Sequence, residues 1–289
     1  MCIRDRDIAQ RLPTVDEVGS EEIEEAVFEA ADYEVSERDK HRLEEIMLMG
    51  KFSAYAPVRR EDYPNAKFLR TRFVDTEGKS RFVAKEFNTG ATDEFFAQAS
   101  GRLVDVLASH RRHSRLVLDV HRAFLHLVED EIVLVDPPAL WKEQEEAAGR
   151  DSSLVWRMQK VLYGRRKAPK EWLKYFGRVL VEHAGLIQSA SAPQFFRSSN
   201  GQVFLEVHMD DIHASGPTAD LEQIVKIVGH HVSVKHADIY EAWKEAVYYH
   251  LRRERILTKT GCYIRANVKY VEEAASLLGL EHSKPVPTQ

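Results

Sequence analysis

The chain has 289 residues, 44% of them hydrophobic and 30% charged, with a formal net charge of −5. That balance is ordinary for a globular protein, and no apolar run approaches the roughly 18–20 residues needed to span a membrane. Two cysteines, Cys2 and Cys262, neither in a CxxC pair, argue against a disulfide framework or a thiolate zinc site. The charge is unevenly spread: residues 1–50 carry 15 acidic and 6 basic side chains, a net of −9, which leaves 31 acidic and 35 basic, a net of +4, for the rest. A mildly basic body permits phosphate contact without demanding it.

The polar N-terminus has no signal-peptide pattern. The first six residues, Met1 to Arg6, match what a transposase-end sequencing adapter would encode, and they are set aside from fold reasoning. Residues 20–31 are predicted as an acidic helix capped by Ser20, within an acidic linker over 7–37. A second helix is expected over 36–49, with Leu43, Ile46 and Met47 on one face. Phe68–Val74 and Arg81–Phe87 form a hairpin around Asp75-Thr76-Glu77-Gly78. Asp93 caps a helix reaching His110 and burying Phe96, Leu103, Val106 and Leu107. Leu116–Val120 is a buried strand that runs into a helical turn at Ala123–Leu127, and Ile132–Val135 is a strand stopped by Pro137-Pro138. Residues 141–151 read as a polar insertion, and Leu154–Arg157 as extended chain. Pro169 opens a helix through Trp172, Phe176, Val179 and Leu180 to Ala184-Gly185. Val203–Val207, a turn at His208–Asp211, and Ile212–Ala214 make a hairpin. Thr218–Val228 is a helix, Val232–His236 and Ala246–Leu257 are further strands, and Val268–Leu278 is a final helix ended by Gly279. Antiparallel hairpins mixed with packed helices give an α+β fold.

Two segments carry chemistry. In the first, residues 203–214, Asp210 and Asp211 sit at the tip of an otherwise apolar hairpin. Adjacent buried carboxylates repel, and a hard cation such as Mg²⁺ relieves the conflict. By itself an Asp-Asp pair also reads as a solvated turn. In the second, residues 116–126, Asp119 ends a buried strand where the chain turns, a position that also suits a helix N-cap. A third carboxylate from a separate strand is what a two-metal phosphoryl-transfer site requires beside such a pair, with the three side chains converging to within about 5 Å.

Motif order then adds a family. DVHRAFLH at 119–126 and HMDD at 208–211 are similar to the DVxxAFLHG and YVDD segments of copia-type retrotransposon reverse transcriptases. LYGRRKAPKEW at 162–172 resembles their LYGLKQAPRxW, and KSRFVAKEF at 79–87 their KARLVAKGF. Residues 269–272 and 284–288 resemble KYVE and KPVxT. The resemblance covers about residues 38–289. It implies an RNA-directed DNA polymerase with a right-hand fold: a fingers-like region over 38–118, a palm over 119–235, and palm end with partial thumb over 236–289, leading toward an RNase H domain. Asp119, Asp210 and Asp211, with Val120 beside the first, would hold two Mg²⁺ ions, Mn²⁺ being able to substitute. Arg81, Lys79 and Lys167 would contact the triphosphate, and Phe124 would lie beneath the sugar and reject a ribose 2′-hydroxyl. His208 and Met209 would touch primer or template. The implied partners are an RNA or DNA template-primer, deoxynucleoside triphosphates, and the integrase and RNase H domains of a polyprotein. The implied location is cytoplasmic, within virus-like particles.

Three positions depart from the pattern: His208 for Tyr, Lys167 for Gln and Glu86 for Gly. They leave open a catalytically silent relic that binds nucleic acid at most. A Mg²⁺-dependent nuclease would also use three carboxylates, but it leaves residues 79–87 and 162–172 unexplained. His110 and His113 lack acidic or thiolate neighbours for zinc. The stretch Tyr248–Arg255 suits either template-primer contact or an amphipathic strand.

Overall fold

The computed structural model describes residues 36–86, 100–266 and 268–283. The acidic helix at 20–31, Asp93 and Phe96 of the third predicted helix, and the motif at 284–288 lie outside those residues.

Helix α1, Glu37–Lys51, starts where the Ser36 hydroxyl accepts the Asp39 N–H at 3.2 Å, with Glu37 and Asp39 in its first turn. Strands β1 (Tyr55–Val58), β2 (Lys67–Leu69), β3 (Thr71–Thr76) and β4 (Lys79–Ala84) follow. The predicted hairpin is β3–β4. It turns at Gly78, whose φ of 73° suits glycine, and Phe68 belongs instead to the separate strand β2. Next come α2 (Ser100–Arg111), β5 (Ser114–Val120), a 3₁₀ turn at Ala123–His126, and β6 (Val133–Val135). The predicted insertion is the helix α3, Ala139–Ala147, which buries Trp141; the run of five polar residues after that one buried anchor hid it. Then come β7 (Val155–Met158), α4 (Ala168–Arg178, continued by a π turn at Val179–His183), β8 (Leu186–Gln188), β9 (Phe195–Ser198), β10 (Phe204–His208), β11 (Asp211–Gly216) and α5 (Thr218–His231). The chain ends in β12 (Val234–Tyr240), β13 (Ala246–His250), β14 (Arg253–Leu257), β15 (Cys262–Ala266) and α6 (Val268–Leu277).

The fold is α+β. A six-stranded antiparallel sheet runs β12-β5-β11-β10-β9-β8. Beside it are a four-stranded sheet, β1-β7-β6-β2, the three-stranded β13-β14-β15 and the β3–β4 hairpin. Strand β5 is apolar on both faces because both are covered. Leu116 and Leu118 share one core with Trp172, Phe176, Leu221 and Ile224 of α4 and α5, while Val117 packs against Tyr248 and Leu257 of the three-stranded sheet. A second core surrounds Trp156, on which Tyr55 stacks at 3.7 Å, beneath α1 and β4.

Two further expectations need correction. Helix α2 buries Val104 and Ala108, whereas Leu103 and Val106 are 45% and 62% exposed. Its inward face is set by Asp105, a buried carboxylate bonded by the Arg255 guanidinium at 3.1 Å, so an ion pair overrode the apolar pattern. The stretch Tyr248–Arg255 is not one strand. It is the turn of a hairpin, with Leu251 and Arg252 both at positive φ.

Candidate active site

The six-stranded sheet brings Asp119 and Asp211 together. They are register partners on β5 and β11, so their side chains leave the same face. The Val120 N–H donates to the Asp210 carbonyl at 2.9 Å, extending the ladder into the turn. Adjacent strand residues point oppositely, which would separate Asp210 from Asp211. The turn removes that obstacle: Met209 adopts φ 56°, placing Asp210 outside the alternation, and the Trp172 indole N–H donates to the Met209 carbonyl at 2.6 Å.

The charges are crowded. The Asp211 carboxyl is pushed up to about 6, first by burial and then by the carboxylates of Asp210 and Asp119, with His236 and Lys235 opposing. Strand β12 supplies the counter-charge: Lys235 Nζ stands 3.3 Å and His236 Nδ1 3.7 Å from Asp119 Oδ2. Both reach it because the β12 register shifts between Val234 and His236. The three aspartates do not close into one cluster. Among the described residues, Glu129, Asp130 and Glu131 are the group whose ligand oxygens all lie within 4.8 Å of one another.

Three motifs meet at Tyr163. Its ring lies 4.9 Å from the Phe124 ring, and the Arg81 guanidinium sits 4.9 Å over it. Burial pushes the Tyr163 hydroxyl up to about 12. The loop docks on β4 through the Ala84 N–H, which donates to the Tyr163 carbonyl at 2.7 Å. Gly164 permits this approach: at φ 84°, an added Cβ would lie 2.1 Å from the Ala84 carbonyl oxygen. Glu45 of α1 joins the same parts. Its buried carboxylate accepts the Phe82 N–H at 3.2 Å and pairs with Arg122 at 2.5 Å. Burial raises its pKa against the pull of Arg122.

Lys79 is exposed at the end of the β4 hairpin, two residues from Arg81. His208 is the cross-strand partner of Asp211, and Met209 is exposed at the tip. Lys167 is engaged elsewhere. Its amine stands 2.6 Å from Glu129 and also contacts Asp130. The nearby Glu86 accepts from Lys67 at 2.5 Å and from the Arg166 N–H at 2.9 Å. Two of the three departures thus belong to one charge network with buried Arg165.

Sequence reasoning missed Glu45, Lys235 and His236, and it placed Tyr163 in the motif at 162–172 without assigning it a role. Lys235 and His236 stand in no motif; only their place on the strand beside Asp119 identifies them.

A family model described as reverse transcriptase (RNA-dependent DNA polymerase) matches residues 66–266. The chain is 26% identical over 239 residues to the retrovirus-related Pol polyprotein from transposon RE1 of Arabidopsis thaliana, covering 77% of this chain and 15% of that protein. It is 28% identical over 221 residues to the corresponding polyprotein from transposon TNT 1-94 of Nicotiana tabacum, covering 73% and 16%. A putative transposon Ty5-1 protein of Saccharomyces cerevisiae is 28% identical over 111 residues, or 38% of this chain and 34% of that protein. The chain thus spans about a sixth of the length of the two plant polyproteins it matches.

Proposed function

Because this chain belongs to the reverse transcriptase (RNA-dependent DNA polymerase) family, we propose that it adds deoxynucleotides to a primer 3′ end by copying an RNA template. The observation that carries the reading is the register pairing of Asp119 with Asp211, with Asp210 at the turn between β10 and β11. Residues 38–118 would serve as fingers, 119–235 as palm, and 236–289 as palm end and partial thumb.

The donor chemistry fits a hard divalent cation. Three carboxylates offer oxygen ligands, and their mutual repulsion, visible in the raised Asp211, is relieved by positive charge. Asp119, Asp210 and Asp211, with the adjoining Val120, would hold Mg²⁺ or Mn²⁺. When bound, such ions activate the primer hydroxyl and neutralise charge on the triphosphate. Lys235 and His236 stand against the Oδ2 oxygen of Asp119, so a cation would compete with them for that oxygen. Arg81, held over Tyr163, would clamp the triphosphate with its planar fork, and Lys79 would add charge at the hairpin end. Phe124, against Tyr163, would form the floor beneath the sugar. His208 and Met209 would meet the primer end. The remaining polyprotein domains, integrase and RNase H, would be covalent partners, and the setting would be a cytoplasmic virus-like particle.

One observation favours the alternative, a silent relic that only binds nucleic acid: Lys235 and His236 already stand against Asp119, at 3.3 Å and 3.7 Å. Primer extension separates the two. Purified chain, primed RNA template, deoxynucleotides and Mg²⁺ are expected to give extension that Asp210→Asn lacks. Incorporation no higher than in that variant supports the relic.

A further inference from the structure

The turn carrying Asp210 is held in an unfavourable conformation by one buried side chain. Met209 stands in the left-handed region, which costs free energy for any residue with a Cβ. Its carbonyl oxygen accepts the Trp172 indole N–H at 2.6 Å, while the next carbonyl, of Asp210, accepts the Val120 N–H at 2.9 Å. Consecutive carbonyls of the turn are therefore gripped by two elements, α4 and the strand that bears Asp119. Trp172 is itself fixed. It is 1% exposed and stacks on Phe176 at 5.1 Å with 14° between the rings.

We propose that Trp172 is a positioning residue: its indole N–H holds the Met209 turn so that Asp210 is presented to the face shared by Asp119 and Asp211. The inference rests on the polymerase reading above and adds a residue whose side chain touches no reacting group. Packing alone gives a different expectation. Trp156 is as deeply buried, in the other core, and its indole N–H has no hydrogen-bond partner among the described residues. Trp156→Phe therefore removes the same atoms without removing a tether.

The test compares wild type, Trp172→Phe and Trp156→Phe as full chains. It reads backbone hydrogen exchange over residues 204–216, Mn²⁺ binding by electron paramagnetic resonance, and kcat against KM for one nucleotide. Trp172→Phe is expected to speed exchange in that hairpin. It should weaken Mn²⁺ binding roughly tenfold, the usual scale for removing a group that orients a ligand, and should lower kcat more than it changes the nucleotide KM. Trp156→Phe should do none of these. Adding Met209→Asn to Trp172→Phe should restore part of the Mn²⁺ affinity, since asparagine tolerates the left-handed region. Unchanged hairpin exchange in Trp172→Phe, or equal losses in the two tryptophan variants, overturns the inference alone. A wild-type chain that binds no Mn²⁺ overturns the metal-site reading, and the inference with it.

Discussion

The Arg165 guanidinium and the Glu129 carboxylate stand 3.4 Å apart with side chains 2% and 1% exposed. Removing Arg165 takes a buried cation from Glu129, which keeps only the Lys167 amine at 2.6 Å, and a buried charge that loses a partner is costly. Arg165 also faces Glu131 at 3.1 Å and Glu86 at 3.7 Å, so several carboxylates depend on it. Arg165→Met is expected to cost about 3 kcal/mol in urea-induced unfolding. Glu86→Gly, which restores the family's residue, should cost about 1 kcal/mol through the lost Lys67 and Arg166 bonds. A smaller loss for Arg165→Met than for Glu86→Gly would contradict this account of the network.

Gly164 sets a second expectation. Gly164→Ala must accept both a left-handed φ and a Cβ against backbone. The left-handed penalty alone is about 1–2 kcal/mol, and the clash adds to it by pushing the Tyr163 loop off β4. Protease cleavage near residue 164 should become faster in the variant; equal resistance would argue against the close approach.

Phe124 should govern the choice of sugar. Phe124→Val opens the floor beside Tyr163, and ribonucleotide incorporation relative to deoxynucleotide should rise roughly tenfold to a hundredfold, the range of steric discrimination by one pocket wall. An unchanged ratio in single-nucleotide competition would remove Phe124 from the sugar site.

Acid should destabilise the fold through His250. Burial, then the Arg255 charge and then His208, hold its imidazole near a pKa of about 3, against 6.5 unperturbed. Between these values the unfolded chain binds the extra proton. This group's contribution is therefore full above about pH 6.5 and falls as pH drops toward 3. Raised carboxyls such as Glu45 and Asp211 act in the opposite sense over their own range, so the group is isolated by difference. Below about pH 6, wild type should lose about 1.4 kcal/mol per pH unit more than His250→Gln. Parallel stability curves would mean that His250 is protonated in the folded chain.

Much of this was legible in the sequence. Strand β5 and the β10–β11 hairpin announced themselves by apolar runs ending in aspartate, and their motif order named the family. What failed was local pattern where long-range charge decides. Helix α2 turned its face to pair Asp105 with Arg255, residues 150 apart. Lys167 and Glu86 looked like damage to a nucleotide site, yet they belong to one network with Arg165. Lys235 and His236 were invisible because only a register shift in β12 aims them at Asp119.

The most direct measurement is single-turnover incorporation of one deoxynucleotide on primed RNA, with Mg²⁺ or Mn²⁺, by wild type, Asp119→Asn and Asp210→Asn. The account predicts metal-dependent incorporation by wild type, reduced by roughly a thousandfold or more in each variant. Incorporation that survives either substitution, or wild-type chain that incorporates nothing with either metal, would contradict it.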